Sequence, residues 1–165
     1  MQPIEGPDRF HLMAAEGWLD LGNGGEARTE WESLSDAVRE HPAALEIRWR
    51  IEAREGRWQE ALVSAERLLR LTEDHPVAWI HRSYALHELA RTREAYDRLQ
   101  PAAERFPAET TIPYNLACYA CRMGDLEAAR RWLTEASRRK SRPAIQRLAL
   151  ADADLEPLWP EIARW

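Results

Sequence analysis

Lysine is nearly absent from this 165-residue chain: Lys140 is the only one, so the basic groups are almost all arginines. Arginine favours two-point pairing with carboxylates, although biased codon usage gives the same composition. A basic excess is also missing. With 28 acidic against 23 basic residues the net charge is -5, which argues against a dedicated nucleic-acid binder. No stretch approaches the roughly 18 uninterrupted apolar residues of a membrane helix. The opening Met1-Gln2-Pro3-Ile4-Glu5-Gly6-Pro7-Asp8 lacks the basic and apolar parts of a secretion signal. Two cysteines cannot build a disulfide framework. These absences lead us to expect a cytoplasmic chain with neither nucleic acid nor membrane as partner. What is present, 45% hydrophobic and 31% charged residues, is the balance of a folded domain.

Glycine is scarce too, at 7 residues, so its placement is informative. Gly22, Gly56 and Gly124 fall on a 34-residue grid, with Ala90 at the remaining node. Five residues after each node stands alanine: Ala27, Ala61, Ala95 and Ala129. Four further on come Trp31, Ala65, Leu99 and Leu133, and three beyond those Leu34, Leu68, Ala102 and Ala136. Each unit closes with a proline: Pro42, Pro76, Pro107 and Pro143. A small residue at the node lets the chain reverse tightly between two helices. The alanine suits a close helix–helix approach, and the residues four and seven beyond it continue the same buried stripe. Proline fits the first turn of the following helix, where its missing N–H leaves nothing unsatisfied.

The segments between these marks have apolar residues at helical spacing and no β-branched run, as in Glu60–Leu69 and Ala78–Leu86. The spacing predicts helices near 8–21, 25–40, 43–55, 58–72, 76–89, 92–105, 110–123 and 126–139. Connections this short make consecutive helices antiparallel neighbours. After Pro143 one more short helix and a turn are expected, with Asp154 as N-cap. Leu155, Leu158, Trp159 and Trp165 would cover the last apolar face of the stack.

A 34-residue helix–turn–helix period with alanine, a large apolar residue and then proline resembles the tetratricopeptide repeat. The resemblance covers about residues 8–142 as four units (8–41, 42–75, 76–109 and 110–142), after a 1–7 extension and before a 143–165 cap in the same domain. It implies an all-α, right-handed helical-repeat solenoid. The second helices match best. Among the first helices unit two departs most, with Leu45, Arg48, Trp49 and Glu52 at the motif positions. A bulky Trp49 where a small residue is usual implies a rotated helix or spread packing.

Several motifs invite chemistry. Cys118-x-x-Cys121 has redox or zinc spacing, but it lies deep in a helix with no βαβ pattern, so small packing residues are the preferred reading. Among His11, His41, His75, His81 and His87 no motif supplies a nucleophile or paired carboxylate. Asp152-x-Asp154-x-Glu156 resembles a calcium-loop fragment but lacks the loop's glycine and final glutamate. No catalytic residue, cofactor or metal is therefore expected. Of eight tryptophans, Trp18, Trp31 and Trp79 fall at repeat-core positions, while Trp58 and Trp132 stay open.

The resemblance implies that the first helices line an inner, ligand-facing wall. Carried over residue by residue, unit one gives Met13, Glu16 and Asp20, and unit two Glu46, Ile47, Arg50, Ala53 and Arg54. Unit three gives Ile80, His81, Tyr84, His87 and Glu88, and unit four Tyr114, Asn115, Cys118, Cys121 and Arg122. Asparagine can pair with both the N–H and the C=O of an extended chain, tyrosine gives rigid amphipathic area, and arginine grips carboxylates. The expected partner is another protein or an extended peptide, for an adaptor, scaffold or chaperone role. The family's lysine-dependent chaperone-tail clamp is not expected, since those lysines are missing. Self-association as a homodimer, through the Trp-rich cap or an outer face, is the alternative.

Overall fold

The computed structural model describes residues 3–165. It is all-α, with no strand among the described residues. In chain order the helices are α1 (Gly6–Asp20), α2 (Gly24–Glu32), α3 (Asp36–Arg39), α4 (Pro42–Arg54), α5 (Trp58–Leu71) and α6 (Pro76–Glu88). They continue as α7 (Thr92–Leu99), α8 (Ala102–Arg105), α9 (Thr111–Arg122), α10 (Leu126–Arg139) and α11 (Arg142–Ala149). A 3-10 turn at Ala153–Leu158 and α12 (Trp159–Ile162) close the chain. None of these helices is long and apolar enough to cross a membrane. The chain falls into two compact units, Met1–Ala85 and Leu86–Trp165.

The turns explain the 34-residue spacing. Gly22, Gly56 and Gly124 take φ of 84°, 69° and 82°, and Ala90 takes 60° as the only described non-glycine with positive φ. Each turn closes with the same two bonds. Gly22 N–H donates to Leu19 O and Asn23 N–H to Trp18 O; at Ala90 the matching bonds are Ala90 to His87 and Arg91 to Leu86. This is the glycine-type helix C-terminus, which uses a left-handed residue to satisfy the last carbonyls. The column therefore reports a backbone requirement. Helix starts follow their own chemistry: Asn23 and Asp125 accept from backbone N–H groups three residues on, and His41 Nδ1 accepts from Ala43 N–H beside Pro42.

The alanine column is fully buried at Ala27, Ala61, Ala95 and Ala129, and so are the following positions at Ala65, Leu99 and Leu133. In the first unit α1 packs with α2, and α4 with α5 and with the α1/α2 pair. Ala15, Leu19, Ala27, Ile47 and Ile51 form one cluster there, joined by Leu12, Trp18 and Trp31. In the second unit α9 packs with α10, α7, α8 and the 3-10 turn. Burial at about 25 cal/mol per Å² of apolar surface is the main stabilising term for such pairs.

Two second helices break where one helix each was expected. The 25–40 segment ends at Glu32 and resumes at Asp36, because the Asp8 carboxylate accepts from both the N–H and the hydroxyl of Ser35, each at 2.7 Å. Those bonds hold the Asp8 carboxyl below the usual range. The 92–105 segment breaks at Pro101, which has no N–H to donate and whose ring crowds the preceding turn. Arg139, 10% exposed, donates from α10 to the carbonyls of Ala103, Phe106 and Glu109, satisfying the end of α8. α1 also begins at Gly6, two residues before the predicted start.

Unit two's unusual first helix is accommodated by pairing. Glu52, 1% exposed, accepts from Ser64 Oγ at 2.6 Å and from Arg48 Nε at 2.7 Å. Arg48 in turn lies over the Trp31 ring at 5.1 Å. A buried carboxylate with two donors is tolerated; without them it would cost several kcal/mol.

In the C-terminal segment Leu155, Leu158 and Ile162 are buried. Trp159 Nε1 donates to Ala149 O, and Arg142 lies over Trp165 at 5.0 Å. The N-cap of the turn is Asp152, accepting from Asp154 N–H at 3.1 Å, and not Asp154.

Candidate functional site

The first unit brings His81 and Tyr84 onto an aromatic framework beside α4, the helix of Arg50 and Arg54. Trp49 stacks on His81 with ring centroids 3.6 Å apart and planes within 5°. Tyr84, 40% exposed, meets the Trp49 ring edge-on at 6.3 Å and leans on Trp58 at 5.7 Å. Trp49 is thus buried between α4 and α6, filling the space that a small residue would leave and backing an exposed tyrosine. Edge-on and offset ring pairs of this kind add about 0.5–1.5 kcal/mol beyond area burial.

His81 has both ring nitrogens buried without a hydrogen-bond partner among the described residues. Burial, and then the nearby Arg50 charge, pulls its pKa down to about 4, so the imidazole is neutral near pH 7. Arg50 and Arg54 stand one helical turn apart on α4. Arg50 reaches Asp20 at 2.8 Å and Glu16 at 3.9 Å. Arg54 is exposed and makes no ion pair among the described residues; it lies along the turn, 3.5 Å from where a Cβ on Gly22 would sit. Ile47, expected on the same wall, is buried in the core.

The second unit places His87, Tyr114, Cys118 and Arg122 around the acidic turn of its own C-terminal segment. His87 Nε2 lies 2.9 Å from Asp154 Oδ2, and its Nδ1 lies 3.0 Å from Thr92 Oγ1. The Tyr114 hydroxyl donates to Asp152 at 3.0 Å, and Cys118 Sγ lies 3.4 Å from the same oxygen. Arg122 Nε stands 3.5 Å from Asp154 Oδ1. Burial raises the Tyr114 and Cys118 pKa values, helped at Tyr114 by Cys118 and then Asp152, and at Cys118 by Asp152. Cys121 is also buried, its thiol raised mainly by desolvation. Such thiols are the opposite of an activated thiolate. Asn115 is half-buried and its amide has no hydrogen bond among the described residues.

The sequence alone presents the two aspartates as a capping turn. Their contacts with residues 34 to 67 positions away have no local signal. Trp49 does carry a signal, as the misfit in its column, whereas the spacing around Trp58 does not assign it a role. Among the described residues no group of three or more His, Cys, Asp or Glu side chains is placed to hold a metal ion.

The left-handed turns on a 34-residue period, the buried alanine column and the paired helices define the tetratricopeptide-repeat fold. Solved structures agree. A thermophilic tetratricopeptide-repeat protein of Thermus thermophilus is 19% identical and superposes with a TM-score of 0.75, covering 95% of this chain and 84% of that one. MamA of Desulfovibrio magneticus RS-1, from its residue 41 on, gives 0.74 at 15% identity, covering 98% and 96%. Another MamA structure gives 0.72 at 17% identity, covering 96% and 87%. No family model matches the sequence, and no curated protein matches it.

Proposed function

We propose that the chain is a non-catalytic protein- and peptide-binding module, serving as adaptor, scaffold or chaperone through the inner faces of its first helices. The observation that carries this reading is the tryptophan-backed Tyr84 in the first unit, set beside the Arg50 and Arg54 helix. A rigid ring on a fixed support offers contact area with little entropy loss on binding. Arg54, with no ion pair among the described residues, offers two-point recognition of a carboxylate. In the second unit Asn115 and Arg122 are the accessible members. The engagement of Tyr114, His87 and Cys118 by Asp152 and Asp154 supports the idea that this wall accepts acidic groups. The ligand we infer is accordingly an extended peptide with a carboxylate and an apolar side chain.

The test is selection from a displayed peptide library, followed by titration of a selected peptide into variants. Tyr84→Ala with Arg54→Glu should weaken binding at least about tenfold, as loss of interface anchors does, and because Tyr84 also packs on Trp49 and Trp58 the titration is run below the variant's own thermal midpoint, where it is folded. Unchanged affinity in that double variant removes the first-unit face as the site.

A further inference from the structure

The repeat grid also fixes which side chains face the preceding helix pair. In α4 the relevant columns hold Ala44, Ile47 and Ile51, all buried, and the two isoleucines join Ala15 and Leu19 of α1 in one cluster. One period on, Ala78 and Ala85 are fully buried, with Ala78 packed on Leu45 and Leu68. A further period on, Ile112 and Tyr119 are buried as well. The same columns in α1 hold Phe10, Met13 and Gly17. Phe10 is 72% exposed and Met13 59%, and Leu21, 78% exposed, extends the line one turn further. Most counterparts of this surface are covered in the other units, His81 and Asn115 being partly covered, whereas here it is apolar and open. Its border is mostly acidic, with Glu5, Glu16 and Asp20 exposed and Arg9 as a basic exception.

The complementary surface lies on α11. Its exposed side carries Leu148, and Leu150 follows just beyond the helix end. Around them stand exposed Lys140, Arg142 and Arg147, and Arg147 makes no ion pair among the described residues. An acidic-rimmed apolar line thus has a basic-rimmed apolar partner on the same chain. Opposite charge at the rim sets orientation and apolar contact supplies affinity.

We propose that α1 of one copy docks on the α11 end of a second copy, head to tail. The two surfaces differ, so the contact is heterologous. This proposal shares Met13, Glu16 and Asp20 with the wall assigned to the peptide-binding reading, but none of the residues varied in that reading's test.

Light scattering on the full chain across about a hundredfold concentration range tests it, because a contact between copies raises the mass with concentration. The parent chain should pass from monomer to a dimer or larger species at the high end. Phe10→Glu with Met13→Glu should be monomeric, and so should Leu148→Asp with Leu150→Asp. An equimolar mixture of these two variants should form dimers and stop there, since one good copy of each surface remains. If either double variant loses helicity by circular dichroism, Phe10→Ser and Leu148→Ser make the same comparison. A parent that stays monomeric throughout overturns the proposal. So does a Leu148→Asp, Leu150→Asp variant that still dimerises alone, which would mark a symmetric α1–α1 contact.

Discussion

Replacing Ala90 by glycine should stabilise the protein. Ala90 has a φ of 60° at a node where the three equivalent turns use glycine. A left-handed conformation costs a residue with a Cβ roughly 1–2 kcal/mol. Glycine removes that cost but loses about 0.5–1 kcal/mol more chain entropy on folding. The difference leaves about 0.5–1 kcal/mol in favour of Ala90→Gly, or roughly 1–4 °C in Tm for a chain of this length. The reverse change is the control. A Cβ on Gly56 meets nothing within 4 Å, so Gly56→Ala isolates the backbone cost without a clash. It should lower stability by a similar amount, whereas Gly17→Ala, inside α1 and equally open, should raise it. Urea midpoints read all three. A destabilised Ala90→Gly, or a neutral Gly56→Ala, would refute the claim that the grid reflects left-handed turns.

Ser64→Ala should cost about 1–3 kcal/mol, because it leaves the buried Glu52 carboxylate with only Arg48 as donor; a chemical denaturation curve checks this. His81 gives a pH signature. Its folded pKa is depressed to about 4 from 6.5, so between these values the unfolded chain takes up a proton that the folded chain does not. Its contribution is therefore fully present above pH 6.5 and is lost as pH falls toward 4. His81→Phe should flatten that part of the stability profile and hold or raise stability at pH 7, since it also removes two unpartnered ring nitrogens. A variant profile as steep as the parent's would count against the assignment.

How much of this could be read from the chain depends on how local each cause is. The node column was legible because φ is a property of one residue and its bond to the next. The alanine column was legible because helix–helix approach admits little else. The break at Pro101 was also written locally, and the helical pattern around it masked the proline. The break at Ser35 was not, since Asp8 holds it from 27 residues away. The candidate site divides in the same way. Arg50, Arg54 and Tyr84 follow from the repeat register, but the Trp49 stack on His81 depends on how two helices meet. The closure of Asp152 and Asp154 onto Tyr114, Cys118 and His87 depends on the path of a segment beyond the last full repeat. Periodicity carries no information about such a path.

The most direct test of peptide binding at the first-helix face is amide chemical-shift mapping of the isotopically labelled chain during titration with a library-selected peptide. Shifts concentrated at Arg50, Arg54, His81 and Tyr84 are the predicted result. Shifts confined to α5, α7 and α10, with the Tyr84 helix silent at saturation, would contradict it.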